Sequence, residues 1–261
     1  MSALARTRFA RAAWVIAWRQ LHRMVIKPTT FLLPSVLMPI FFFVAFAGGL
    51  SAVGDAPNFD YPNYTTFQYV FVLMQSAVFG GVFAGFSVAA DFESGFVRRM
   101  MVATQTRSAM IAGYAIAALG RAILVWVVVT VVALISGAEV SGGAGDLLSI
   151  AIIAVFLNIA ALLFACGIAM RLRSLQAAPL IQLPAFLLIM TAPVYVPRDL
   201  IEGWVHTVSD VNPMTAMLEA GRELIIGDPA RTLAAIAIAA GLIAVTVVWA
   251  RTGLRRAEAA G

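Results

Sequence analysis

The chain of 261 residues is 62% hydrophobic and only 12% charged, and its mean hydropathy is +0.93. A water-soluble domain of this length needs a much larger charged surface, so the composition excludes that class. The formal net charge is +5, but the basic residues flank apolar runs, where such residues set orientation and contact anionic lipid. We therefore expect membrane lipid, and not nucleic acid, as a partner.

Six apolar runs follow one another along the chain, and most have the ~20 residues that a helix needs to cross a bilayer. They predict an all-α, polytopic membrane protein with six transmembrane helices. The fifth run is the shortest and contains Pro179 and Pro184, so its limits are the least defined. The predicted spans are 29–50, 67–90, 109–136, 147–170, 175–191 and 232–250.

Loop charge predicts the orientation of these spans. Most of the 18 basic residues fall in residues 1–28, in the loop after the second span, after the fourth span and in the tail 251–261. The positive-inside rule then places both termini in the cytoplasm and the chain in the cell membrane. A cleaved signal peptide ending near Ala45-Phe46-Ala47 is the competing interpretation of the N-terminus, and the 28 residues before the first apolar run count against it.

Residues 4–27 have the periodicity of an amphipathic helix, so we predict a cytoplasmic interface helix over 1–28. At 100° per residue, Trp14 and Trp18 share one face and Arg19 and Arg23 lie on the opposite arc. Such a helix should lie in the headgroup plane with its tryptophans towards lipid and its arginines towards water. It acts either as a membrane anchor or as a partner-binding surface.

The segment 193–231 has too many apolar residues for a solvated loop and too many interruptions for another span. It predicts short helices that re-enter the outer leaflet before the last span, where protein or a water-filled cavity covers them. The alternative is an interfacial cap without a role in transport. The six-span domain, 29–250, includes this segment.

Several kinds of chemistry have no sequence signature here. The only lysine, Lys27, follows no glycine-rich loop, so no P-loop is present, and no catalytic or metal-binding constellation is found. The predicted spans contain no Asp, Glu or His, which argues against a self-powered proton antiporter. Arg121 is the one ionisable residue well inside a span. It either faces protein or water, or snorkels from the cytoplasmic end of the third span, and snorkelling is the simpler interpretation.

Three short motifs give the chain a family resemblance. The cytoplasmic loop 91–108 contains an acid pair, a glycine, basic residues and a downstream Thr-Arg: Asp91, Glu93, Gly95, Arg98, Arg99 and Arg107. The third span adds Gly120-Arg121, and the outer segment adds Asn212-Pro213 and Arg222. In order and spacing these motifs resemble those of ABC-2 type transporter permeases. Thr104-Gln105-Thr106 departs from the proline-containing turn of many members.

The resemblance, strongest to the daunorubicin-resistance permeases of actinobacteria, implies the membrane subunit of an ABC exporter. It implies two P-loop ATP-binding subunits that bind ATP and Mg, and a second permease chain, identical or paralogous. Residues 91–108 would couple to the ATPase, while this chain would hold no cofactor and no enzyme activity. The expected substrate is an amphiphilic drug, lipid or glycoconjugate, as in multidrug transport and antibiotic resistance. The alternative is an ATP-independent secondary transporter or channel.

Overall fold

The computed structural model describes residues 3–57, 59–103 and 108–259, without the side chains of residues 3–5, 98, 101–103 and 258. The longer helices are α1 (Ala3–Ile26), α3 (Leu33–Gly49), α4 (Tyr64–Glu93), α6 (Ser108–Ile135), α7 (Ala144–Leu172) and α11 (Thr232–Ala259). The shorter ones are α2 (Pro28–Phe31), α5 (Phe96–Ala103), α8 (Ala178–Met190), α9 (Gly203–Val211) and α10 (Pro213–Ile225). Short 3₁₀ turns occupy Ser51–Asp55, Leu175–Ala177 and Arg198–Leu200.

The predicted all-α class is confirmed, since the described residues contain no strand. Within them, α4, α6, α7 and α11 are long and apolar enough to cross a membrane. The predicted first and fifth spans correspond to α3, with 17 residues, and α8, with 13 residues. At 1.5 Å per residue both are shorter than the ~30 Å hydrocarbon core, so six spans are not confirmed.

Proline explains why the first predicted span is broken. Pro34 is the second residue of α3, and because it has no backbone N–H it cannot continue the hydrogen-bond ladder of α2. Pro39 lies inside α3, and Pro184 lies inside α8. The predicted span 29–50 is longer than α3 because apolar length alone does not register the break before Pro34. The predicted span 175–191 is longer than α8 because its first three residues, Leu175–Ala177, form a 3₁₀ turn.

Helix α4 lies at the centre of the bundle and is buried along most of its length by α3, α6, α7, α8 and α10. It meets α7 closely because glycines face that helix. A Cβ on Gly81 would lie 2.5 Å from the carbonyl oxygen of Asn158 and 2.6 Å from the backbone nitrogen of Leu162. A Cβ on Gly85 would lie 2.3 Å from the Cβ of Ala165. Small residues thus let the two backbones approach, as is typical of helix pairs in membranes.

Substituting Gly81→Ala is therefore expected to lower the thermal stability of the detergent-solubilised protein. The new methyl group would collide with backbone atoms of α7, which cannot move aside as a flexible side chain can. Such overpacking costs about 1–3 kcal/mol. Gly241→Ala in α11 is the matched control, because a Cβ there meets no atom within 4 Å. Equal melting temperatures for the two variants would contradict the close α4–α7 contact.

Helix α1 matches the predicted range 4–27 and packs along α6. Ala13, Ile16 and Ala17 are buried in this contact, and Gly113 of α6 gives them room, since a Cβ there would lie 2.7 Å from the Ala13 carbonyl oxygen. The bundle-facing side of α1 is thus a third face, between the tryptophans and the arginines.

Candidate functional site

Asp91 is the centre of a buried polar cluster at the end of α4, and we call it the Asp91 cluster. Its carboxylate, only 2% exposed, accepts two hydrogen bonds of 2.7 Å from Arg19 Nη1 and Nη2. It also accepts from Gln20 Nε2 at 2.9 Å, from the Tyr114 hydroxyl at 2.5 Å and from Arg23 Nη1 at 3.3 Å. One side chain therefore joins three helices: α1, α4 and α6.

The electrostatics of the Asp91 cluster favour the charged forms of Asp91 and Arg19. Burial lowers the pKa of Arg19, but the hydrogen bond and the charge attraction from Asp91 outweigh it, so the pKa of Arg19 is raised from its ordinary value. A guanidinium that holds a carboxylate with two parallel bonds is among the strongest pairs that side chains form. Loss of the carboxylate would leave two arginines on the same short stretch of α1 without their partner.

The arrangement corrects the predicted orientation of the α1 arginines. Arg19 and Arg23 both turn to Asp91, although their side chains stay 24% and 43% exposed, and Arg19 also lies 3.6 Å above the ring of Phe96. Trp14 and Trp18 are 58% and 57% exposed, in agreement with a face that meets lipid. Sequence periodicity missed the pairing because it reports which residues share a face, not what lies 72 positions further along the chain.

The predicted coupling loop 91–108 begins inside a helix, because α4 continues to Glu93. Asp91 and Glu93 end α4, and they do not begin the helix that follows. The chain turns at Gly95, whose φ of +71° favours glycine, and α5 starts at Phe96. The acids therefore lie at the negative end of the α4 dipole, so partners elsewhere must offset an unfavourable position.

Helix α5 has one anchored face and one exposed face. Val97 is fully buried and Phe96 lies under Arg19, whereas the side chain of Arg99 is exposed. Glu93 is also exposed, and it accepts weak hydrogen bonds from Ser174 Oγ at 3.5 Å and from the backbone N–H of Leu175 at 3.4 Å. The end of α4 thus contacts the turn before α8.

Two predicted coupling residues cannot be placed fully. The side chain of Arg98 lies outside the described part of the chain, although its backbone belongs to α5. Arg107 and the Thr104-Gln105-Thr106 departure also lie outside the described residues. Their roles stay predictions.

Arg121 is placed inside the protein and does not snorkel. Its side chain is 6% exposed, its Nη2 donates to the carbonyl oxygen of Gly80 at 3.0 Å, and its Nε–H is buried without a partner. Of the two interpretations of this residue, the structure supports the one in which Arg121 faces protein. It also lines three neighbouring cavities.

The outer motif Asn212-Pro213 begins α10. The Asn212 side chain accepts from the Met214 N–H at 2.8 Å, and Pro213 occupies the first turn, where no N–H is needed. The Asn212 amide also donates to the Leu188 carbonyl oxygen at 2.7 Å. The motif therefore caps one helix and fastens it to the end of α8. Helices α9 and α10 and the turn before them confirm short helices in 193–231, while their depth in the membrane stays a prediction.

Arg222 is the largest fully buried side chain of the described residues. Its Nη1 donates to the Pro193 carbonyl oxygen at 2.7 Å and its Nε to that of Phe67 at 3.4 Å. The guanidinium carbon lies 3.4 Å from the centre of the Phe67 ring. Arg222 thus connects α10, the start of α4 and the segment after α8. This contact lies at the opposite end of α4 from α5.

In the described parts of the chain, no group of three or more His, Cys, Asp or Glu side chains is placed to hold a metal ion. The polar residues instead join helices: the Asp91 cluster joins α1, α4 and α6, and Arg222 joins the other end of α4 to α10.

Comparison with known families agrees with a helical membrane protein. The profile of the family described as "ABC-2 type transporter" matches residues 11–226, which include most of α1, the Asp91 cluster, α5 and α10. No curated protein matches the chain. Because the match covers far more than half of the sequence, the chain belongs to the ABC-2 type transporter family, as a multi-pass membrane permease subunit of an ABC transporter that works with an ATP-binding partner.

Proposed function

We propose that the chain is the permease of an ATP-driven exporter and that α5 is the element that contacts its ATPase. The observation that supports the proposal is the clamped end of α4. Asp91 is buried among residues of α1 and α6, while the side chain of Arg99, two turns further along the chain, is exposed. A helix with one face anchored and the other exposed is suited to transmit movement from a partner into the bundle.

In this proposal Asp91 is a positioning residue and not a contact of the ATPase, because its carboxylate is nearly inaccessible. Arg99 and Glu93 are the exposed groups near the partner. Arg19 couples α5 to α1, since its guanidinium bonds to Asp91 and lies over Phe96. A displacement of α5 by the ATPase would then be transmitted to α4 and α6 through the Asp91 cluster.

The complete transporter would contain two such permease chains, identical or paralogous, and two ATP-binding subunits that carry ATP and Mg. Both termini and α5 would face the cytoplasm of the cell membrane, as the basic residues predict. The substrate class consistent with the resemblance is an amphiphilic drug, lipid or glycoconjugate, and resistance to a drug of the daunorubicin kind is one form that this export could take.

Co-purification tests the proposal. The tagged chain, extracted in a mild detergent, should retain a separate P-loop ATPase that mass spectrometry identifies, and the complex should hydrolyse ATP. The chain purified free of that subunit should hydrolyse none, because it has no P-loop. Undiminished hydrolysis by the free chain, or export that continues after the ATPase is removed, would contradict the proposal.

A further inference from the structure

A cavity of about 400 Å³ opens between the first and second predicted spans, at the end of the bundle that holds the Asp91 cluster. Phe83 and Phe86 of α4 and Leu175 before α8 give it an apolar wall, and Ser87 adds a hydroxyl group. Arg121 of α6 also lines the cavity. The volume is in the range of small-molecule sites, which are mostly apolar with a few polar groups that orient the ligand.

The cation in this cavity has no anion. Among the residues that the structure describes, no carboxylate lies within ion-pairing distance of Arg121, and its Nε–H is buried without a partner. A single bond to the Gly80 carbonyl oxygen uses one of the five N–H groups of the guanidinium. A buried charge is costly without a counter-ion, so such a residue inside a membrane protein marks a functional site.

We propose that the cavity binds the anionic headgroup of an amphiphile, with Arg121 as its counter-ion. The planar guanidinium matches the oxygens of a phosphate, sulfate or carboxylate, and the phenylalanines provide an apolar surface for the adjoining chain. The cavity extends from Arg121 towards Ala90 and Leu175, at the end of the bundle that holds the Asp91 cluster. The positive charge disfavours a cationic ligand at this position.

A ligand with an anionic headgroup and an apolar chain can come from two sources: a membrane phospholipid, or an anionic amphiphile that the transporter carries. The binding site does not depend on the proposed coupling to ATP, because its residues and the measurement involve this chain alone. Failure of one proposal is therefore distinguishable from failure of the other.

Native mass spectrometry of the full chain, released from a neutral maltoside detergent with added dodecyl phosphate, tests the site. The unaltered chain should retain one dodecyl phosphate, and Arg121→Gln should lower the retained fraction roughly tenfold, as loss of a charge-assisted contact predicts. Arg251→Gln, which removes an exposed arginine of α11, is the matched control and should retain the ligand. Dodecyltrimethylammonium should not be retained.

A second variant separates binding from folding. Ser87→Phe keeps Arg121 but fills part of the cavity, and it should also lose the ligand. Displacement of dodecyl phosphate by phosphatidylglycerol, but not by phosphatidylcholine, would assign the site to anionic lipid, and no displacement by either would assign it to a single-chain anion. Equal retention by the unaltered chain and by either Arg121→Gln or Ser87→Phe would overturn the proposal.

Discussion

Replacing Asp91 with asparagine is expected to release α1 from the bundle and to abolish the proposed ATP-driven transport. The substitution removes the buried charge that holds Arg19 and Arg23, and the asparagine amide group can accept only part of the hydrogen bonds that converge there. Breaking a buried pair by removing one partner costs about 3–5 kcal/mol. The lower end is expected because Arg19 and Arg23 are partly exposed and can regain water.

Thermal unfolding and limited proteolysis of α1 in the purified protein measure this effect, and ATP hydrolysis by the assembled complex measures coupling. For the stability measurements Glu93→Gln is the control, because among the described residues that exposed carboxylate makes only two weak contacts, with Ser174 and Leu175. A double variant, Asp91→Asn with Arg19→Gln, should be less destabilised than the sum of the single variants, since no unpaired arginine remains at position 19. If the losses in free energy of unfolding of the two single variants simply added in the double variant, a direct Asp91–Arg19 pair would be contradicted.

The second large effect is expected at the other end of α4, with Arg222→Ala. This change leaves a cavity where the largest fully buried side chain was, and it leaves the Pro193 carbonyl oxygen without its donor. Large-to-small substitutions in cores cost about 2–5 kcal/mol, and an unpaired buried acceptor adds about 1–3 kcal/mol. We therefore expect a loss of about 3 kcal/mol or more in stability.

Arg231→Ala is the matched control for Arg222. Arg231 is 55% exposed in its side chain and pairs with Glu219 and Glu223 at the surface, where such pairs are worth about 1 kcal/mol or less. Arg222→Lys should recover little, because an ammonium group cannot stack on Phe67 and reach both carbonyl oxygens in the same geometry. A melting temperature unchanged by Arg222→Ala would show that the outer segment is held by other contacts.

Local pattern predicts much of this fold. Periodicity placed α1 within one residue at each end, and apolar length located α6 and α7 closely. The second span was predicted to stop at residue 90, because Asp91 and Glu93 suggested a loop, yet α4 continues to Glu93. The helix can continue because Arg19 neutralises Asp91. The local sequence cannot predict this contact, because the two residues are 72 positions apart.

Some residues of the candidate site could be identified from the sequence, and others only from the packed structure. Gly95 and Pro213 were noticed through the family motifs, and the structure places each where the backbone favours its residue type: a positive φ at Gly95 and the first turn of α10 at Pro213. Tyr114 and Gln20 were missed, since each is an ordinary member of its helix until the helices pack and bring it to Asp91. Arg121 was noticed as a charge inside a span, but the cavity in front of it exists only in the packed bundle.

Site-directed cross-linking from α5 tests the central claim most directly. The only native cysteine, Cys166, is 1% exposed, so Arg99→Cys introduces the accessible thiol for a photoreactive maleimide. Trp204→Cys, at a residue 71% exposed in α9, is the control and should be labelled in intact cells by an impermeant thiol reagent. We expect Arg99→Cys to escape that reagent and to cross-link to the co-purified ATPase, and Trp204→Cys to give no such product. Cross-linking of the ATPase from position 204, or labelling of position 99 from outside the cell, would contradict the assignment of α5 as the coupling helix.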